Sequence, residues 1–301
     1  MPILYHYTTI EGLKGIVESK SIWATSYRYL NDTEEIRHGL KIIKEYVDSE
    51  LRRAYTKNAK ASLRFASGIL YDYIDSRLDF HFFVSSFSSA PDLLSQWRGY
   101  CPKSDGVCIG FSFDEQTLAT LNKNHVSLAN CEYIDNPADL PPNLTNSIKH
   151  SIEVFLQQIR DKTKQMNDLV QNFEETLIRT AISIKHPSFA EEKEARLICG
   201  PTEMEDDSVF FRAVHQTLIP YKKIELTSGG GEPVPIAGVI VGPSPKMKLS
   251  IGSIQAFLNK NGAKVKMECL EDSPFDTHLD ISPQTKLPPR VIGSKIPFEN
   301  W

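Results

Sequence analysis

Cysteine is scarce in this chain and unpatterned. Thiols at 101, 108, 131, 199 and 269 form no C-x-x-C pair and stand at no metal-ligand spacing with histidine. That excludes a zinc ribbon and a disulfide framework, and it suits the reducing cytosol in which we expect a cytoplasmic protein. Long apolar runs are missing as well. None approaches the roughly 18 residues that span a bilayer, and the opening Met1-Pro2-Ile3-Leu4-Tyr5-His6-Tyr7 has neither a basic leader nor an apolar signal core, so no membrane association is expected. Net positive charge is lacking. With 34 Lys and Arg against 38 Asp and Glu the formal charge is -4, which removes the electrostatic basis for broad binding to duplex nucleic acid but leaves room for a local basic groove. Phosphate-loop and nucleophile-elbow signatures are absent too. The glycines at 229–231 are not followed by Lys-Ser/Thr and lack Rossmann spacing, so they read as a hairpin or linker. No internal repeat or low-complexity tract occurs.

What is present is an ordinary globular composition. At 301 residues, 41% hydrophobic and 10% aromatic, the chain can bury a core without metal or disulfide support. Residues 3–8 alternate as a strand, with Leu4, His6 and Thr8 on one face and Tyr5 and Tyr7 on the other. Thr9 is placed to cap a helix buried through Leu13, Ile16 and Val17. A strand over 22–25 leads to Asn31-Asp32-Thr33, a helix start for 33–55, and a second helix covers 58–78. Residues 80–88 form a dense β-prone run ending in hydroxyls, followed by a short helix over 92–100 and a strand over 106–111. From 114 to 184 helical spacing dominates, so this span reads as a helical insertion or flank. Strands return at 194, 209–212, 219–221 and 237–242, then a helix over 248–261, a last strand over 264–270, and a proline-bearing tail beyond Pro274 that should lie extended on the surface.

One stretch carries the chemistry. In Phe189-Ala190-Glu191-Glu192-Lys193-Glu194-Ala195-Arg196-Leu197-Ile198-Cys199-Gly200 an acidic turn runs into an apolar strand. If that strand begins by Glu192, Glu192 and Glu194 project from one face with Arg196. Two carboxylates so placed repel unless a cation, a proton or a ligand answers them. Two readings stand side by side: a charged edge strand with an Arg–Glu ladder, and a cleft in which ionised Glu194 stabilises positive charge on a substrate.

The ordered set Leu4-Tyr5-His6-Tyr7-Thr8, Leu30-Asn31-Asp32, Ser86-Phe87-Ser88, Gln96-Trp97-Arg98-Gly99-Tyr100, residues 106–111 and Glu192-Lys193-Glu194-Ala195-Arg196-Leu197 resembles a bacterial family of unknown function met near phage-defence and toxin genes. It is also similar, more distantly, to the ADP-ribosyltransferases. That resemblance implies an α+β fold with a split, mostly antiparallel β core, here a single domain over 1–301 with 114–184 inserted. It implies NAD as substrate, with no metal expected. Position by position it makes His6 the residue on the nicotinamide ribose, Ser86 or Ser88 the Ser-bearing strand, Trp97 or Tyr100 the ring against nicotinamide, and Glu194 the catalytic acid with Glu192 the first member of an E-x-E pair. Tyr7, Thr8, Arg98 and Arg196 complete the implied NAD-binding set. The implied activity is ADP-ribose transfer to a macromolecular acceptor, protein or nucleic acid, with an antitoxin or defence partner. The alternatives are an NAD glycohydrolase and a non-catalytic defence sensor or partner-binding protein.

Overall fold

β1 (Ile3–Thr9) runs into α1 (Ile10–Ser19), whose cap Thr9 accepts the Gly12 N–H at 3.0 Å and whose Leu13, Ile16 and Val17 are buried, as the spacing predicts. The structure is a computed structural model that describes residues 3–30, 34–54, 56–75, 80–101, 105–161, 166–227, 232–263, 265 and 289–296. After β2 (Ser21–Ser26) come α2 (Glu34–Arg53) and α3 (Lys57–Asp75), then β3 (Phe80–Ser88), α4 (Leu94–Tyr100) and β4 (Gly106–Ser112). The helix start expected at Asn31-Asp32-Thr33, the loop at 229–231 and all but Val265 of the strand expected over 264–270 lie outside the described residues.

The span 114–184 holds two long helices, α6 (Pro142–Asp161) and α7 (Met166–Ile182), but also α5 (Glu115–Lys123), β5 (Ser127–Asn130), β6 (Glu132–Tyr133) and β7 (Ile184–Lys185). β5 pairs with β8 (Glu194–Glu203) and so belongs to the main sheet. β9 (Val209–Val214), β10 (Thr217–Glu225), β11 (Ile236–Val241) and α8 (Met247–Lys260) follow. Part of the tail expected to lie extended on the surface adds β12 (Arg290–Gly293) parallel to β11. Ser294 then donates to Asp92 Oδ1 at 2.5 Å, and the Lys295 N–H to its Oδ2 at 2.8 Å.

The result is a mixed α/β architecture with a mostly antiparallel sheet ordered β12-β11-β4-β1-β3-β2-β10-β9, with β8 and β5 branching from β3. β3 is the junction. One edge pairs with β8 from Phe80↔Glu203 to Ser88↔Glu194. The other edge is shared: Ser88 pairs with Tyr5 of β1, whereas Val84 and Phe83 pair with Thr25 and Ser26 of β2. Because α1 carries the chain from β1 to β2, these two strands splay from one edge of β3 and leave a fork beside Ser86.

Each face buries a different set. Leu4, Phe83, Phe87, Ile109, Phe111, Ala195 and Leu197 pack with Leu13, Leu121, Ile254 and Leu258 of α1, α5 and α8. On the opposite face, Phe82, Val84 and Ile198 meet Ile178 and Ile182 of α7, while Tyr5, Tyr7, Cys108 and Ile240 meet Trp97 of α4. Beyond α7 a separate cluster joins α2, α3, α6 and α7 through Leu40, Ile43, Val47, Ala66, Phe155, Phe173 and Leu177. Among the described residues no helix is long and apolar enough to cross a membrane.

Candidate functional site

The acidic turn ends in a buried charge cluster at the meeting point of β3, β8, α2 and β7. Residues 187–192 form a 3-10 helix, and Lys193 takes left-handed backbone (φ 46°), so the strand begins at Glu194 and the two glutamates are not successive members of one strand face. They converge nonetheless. Lys185 Nζ lies 2.7 Å from Glu192 Oε2, 2.8 Å from Glu194 Oε2 and 3.0 Å from Glu35 Oε1, one carboxylate for each ammonium proton. Arg196 binds Glu194 bidentately, Nε to Oε1 at 2.8 Å and Nη2 to Oε2 at 2.9 Å, and also reaches Glu35 Oε2 at 2.5 Å and the Ile182 carbonyl at 2.8 Å. A lysine ammonium therefore sits between the three carboxylates, and among the described residues no group of three or more His, Cys, Asp or Glu is placed to hold a metal ion.

The two glutamates of the pair are pushed apart electrostatically. Burial of Glu194 favours its neutral form, yet Arg196 and Lys185 outweigh burial and hold its carboxyl down to about 2. Glu192 moves the other way: burial raises its pKa, and the charges of Glu194 and Glu35 add to that against Lys185. With three carboxylates and two cations the cluster carries one negative charge in excess when fully ionised, and Glu192 is the member shifted toward taking a proton. It is also half-buried, whereas Glu194 is buried. The Ser88 hydroxyl holds the Glu192 carbonyl at 2.7 Å and accepts the Ala90 N–H at 3.1 Å, so this serine builds the turn. The Tyr133 hydroxyl accepts the Glu194 N–H at 2.7 Å.

Of the two candidate rings, Trp97 is 2% exposed, stands edge-on to Tyr7 with centroids 4.9 Å apart, and donates its indole N–H to Asp92 Oδ1 at 2.9 Å. It is a core residue with no face to offer nicotinamide. Tyr100 is 41% exposed at the end of α4, and partial burial together with the charges of Glu192 and Glu194 pushes its hydroxyl up to about 12. Tyr7 is likewise committed to the core: its hydroxyl donates to the Ala90 carbonyl and accepts the Leu93 N–H, bracing the loop before α4. Thr8 is half-buried, with its carbonyl accepting from Cys101 Sγ. Arg98 is exposed on α4, and Arg196 is a buried counter-ion.

His6 does not face Glu194. The row Tyr5↔Ser88↔Glu194 puts those three side chains on one face, and alternation sends His6 to the other, where its ring lies 5.5 Å from that of Phe87. Its Nδ1 reaches the Ser86 carbonyl at 2.9 Å across the fork. Because a carbonyl only accepts, Nδ1 carries the proton. Burial lowers the His6 pKa, against the Ser86 bond, and the neutral ring is left with Nε2 as an acceptor. Sequence reasoning missed Lys185 and Glu35. Glu35 reads as an ordinary first-turn acid, and Lys185 falls just past the span 114–184, so neither has a local signal.

The model of a family described as a protein of unknown function (DUF2971) matches residues 96–197. The matched stretch runs from Gln96 in α4 to Leu197 in β8 and contains Tyr100, Tyr133, Lys185, Glu192, Glu194 and Arg196. His6, Glu35 and Ser88 fall outside it. No curated protein and no solved structure matches the chain.

Proposed function

We propose that this chain is an NAD-consuming enzyme that transfers ADP-ribose to a macromolecular acceptor, working from the face of β3 and β8 that carries Glu194. The observation that carries the reading is the pair of carboxylates that converge on Lys185: Glu194 held ionised and buried, Glu192 half-buried with a raised pKa, with their charges felt at the hydroxyl of the exposed Tyr100. Two titratable groups driven apart by their surroundings mark an acid–base assignment. In this reading the bond from ribose C1′ to the nicotinamide nitrogen breaks, and nicotinamide leaves with the bonding pair. The acceptor's nucleophile bonds to C1′, and its proton passes to Glu192. The fixed negative charge of Glu194, close behind, favours the positive charge that develops on the ribose. Tyr100, with a face open to solvent, is the ring that stacks on nicotinamide, worth on the order of 0.5–1.5 kcal/mol beyond its buried area. His6 takes no part in this chemistry; it holds the fork at β3 together from the opposite face.

One observation favours a second reading. Each Lys185 proton meets a carboxylate and Arg196 is nearly saturated, so the cluster also suffices as a joint between sheet and helices in a partner-binding protein without turnover. Incubation with NAD labelled in its ADP-ribose half separates the outcomes. Label on protein or nucleic acid supports transfer, and free ADP-ribose means a glycohydrolase. Intact NAD overturns the proposed activity in favour of the joint. A defence partner or antitoxin belongs to the same proposal.

A further inference from the structure

The strands β2, β10 and β9 carry an aromatic and cationic surface that the proposed chemistry does not use. In register, Trp23 pairs with Lys223, Thr25 with Tyr221, Tyr221 with Phe210 and Ile219 with Arg212, so all seven side chains project from one face. Trp23 is 43% exposed and stacks on Tyr221 at 4.2 Å between centroids; Phe210 is 38% exposed, with Lys223 Nζ 4.5 Å from its ring centre. Arg212 donates from Nη2 to Thr25 Oγ1 at 3.1 Å, and its guanidinium lies 6.0 Å from the Trp23 ring. Its Nε is buried with no hydrogen-bond partner, although such a donor ordinarily finds an acceptor. Neither Arg212 nor Lys223 pairs with a carboxylate among the described residues. Glu225, farther along β10 beside Ser21, limits the basic surface on that side.

This face shares a side of the sheet with the candidate site, the two being separated where Val84 lies beneath α7. Thr25 pairs with Val84, and Val84, Ser86 and Ser88 alternate along β3 on the side that carries Glu194. We infer that the β2–β10–β9 face binds single-stranded nucleic acid, with bases stacking on Trp23 and Phe210 and phosphates meeting Arg212 and Lys223. Exposed rings interleaved with cations that meet no carboxylate fit a strand whose bases are free to stack and whose phosphates lie along the outer guanidinium and the ammonium. An extended peptide would instead pair with the β9 edge and needs neither the rings nor the cations. The inference deepens the proposed transfer by naming the class of acceptor, and it rests on that reading only for what happens after binding.

Fluorescence anisotropy with fluorescein-labelled single-stranded RNA and DNA oligonucleotides, without NAD, tests it. Binding should weaken as salt rises. Trp23→Ala should cost roughly tenfold in affinity while Trp23→Phe keeps most of it. Arg212→Ala and Lys223→Ala should each flatten the log–log salt slope by about 0.7. Thermal melts check that the variants fold, and Lys223→Ala, at an exposed position, keeps the test open should Arg212→Ala unfold. No binding at low salt, binding indifferent to these substitutions, or displacement of the oligonucleotide by an unrelated acidic peptide overturns the inference. Because NAD is absent, failure here leaves the carboxylate chemistry standing, and failure of NAD turnover leaves the binding face standing.

Discussion

Lys185 offers three protons and meets three carboxylates, so its removal leaves those three facing Arg196 alone, with Glu192 losing its cation altogether. Lys185→Met is expected to lower stability by about 3–5 kcal/mol, read from urea denaturation, because losing one partner of a buried pair costs far more than the pair contributes. Glu192 responds differently. Its folded pKa is raised, so its negative charge is least welcome in the folded state at neutral pH. Glu192→Gln should therefore leave the melting temperature unchanged or slightly higher while NAD consumption disappears, and turnover at the unaltered rate would remove Glu192 from the mechanism. Tyr100→Ala should raise the NAD concentration needed for half-maximal rate with little change in melting temperature, since the ring is exposed. At this scale the E-x-E pair and Arg196 were legible as a charge problem along one strand. The answering groups were not, because Lys185 and Glu35 come from positions whose surroundings in sequence show no strain.

Elements explain where those groups stand. α2 brings Glu35 to the cluster by lying close against α7: a Cβ on Gly39 would run into the Ala181 carbonyl. Gly39→Ala should push the helices apart, cost about 1–3 kcal/mol and weaken the Glu35 contacts with them, a loss that denaturation would show and hydrogen exchange in α7 would localise. α1 depends on its cap, and Thr9→Ala should cost about 1 kcal/mol. Helical spacing at Leu13, Ile16 and Val17 and alternation in β1 were readable because each element buries a stripe that repeats with its own period. The short β5 and β6 within 114–184, β7 at its end and the late β12 were not readable. They are too brief to show a period, and pairing with partners distant in sequence decides them.

The central strands of the sheet are covered on both faces, with the charge cluster beneath the helices that cover one of them, and stability should follow the ionisation of Glu194. The folded pKa of about 2 lies below the ordinary 4.5, so this carboxylate adds stability that is fully present above about 4.5 and lost as pH falls toward about 2. The depression corresponds to on the order of 3 kcal/mol. Denaturation followed across that range should show the decline, and Glu194→Gln should flatten it. Composition and periodicity by themselves determined that this chain makes strands and amphipathic helices around an apolar core, because burial of a repeating stripe is a local property of sequence. Only tertiary structure decided which groups meet. It turned His6 away from Glu194 through a single register pair, sank Trp97 into the core, and left Tyr100 exposed. Register and the crossing of helices are set by the summed packing of remote segments, and no short stretch of residues contains that sum.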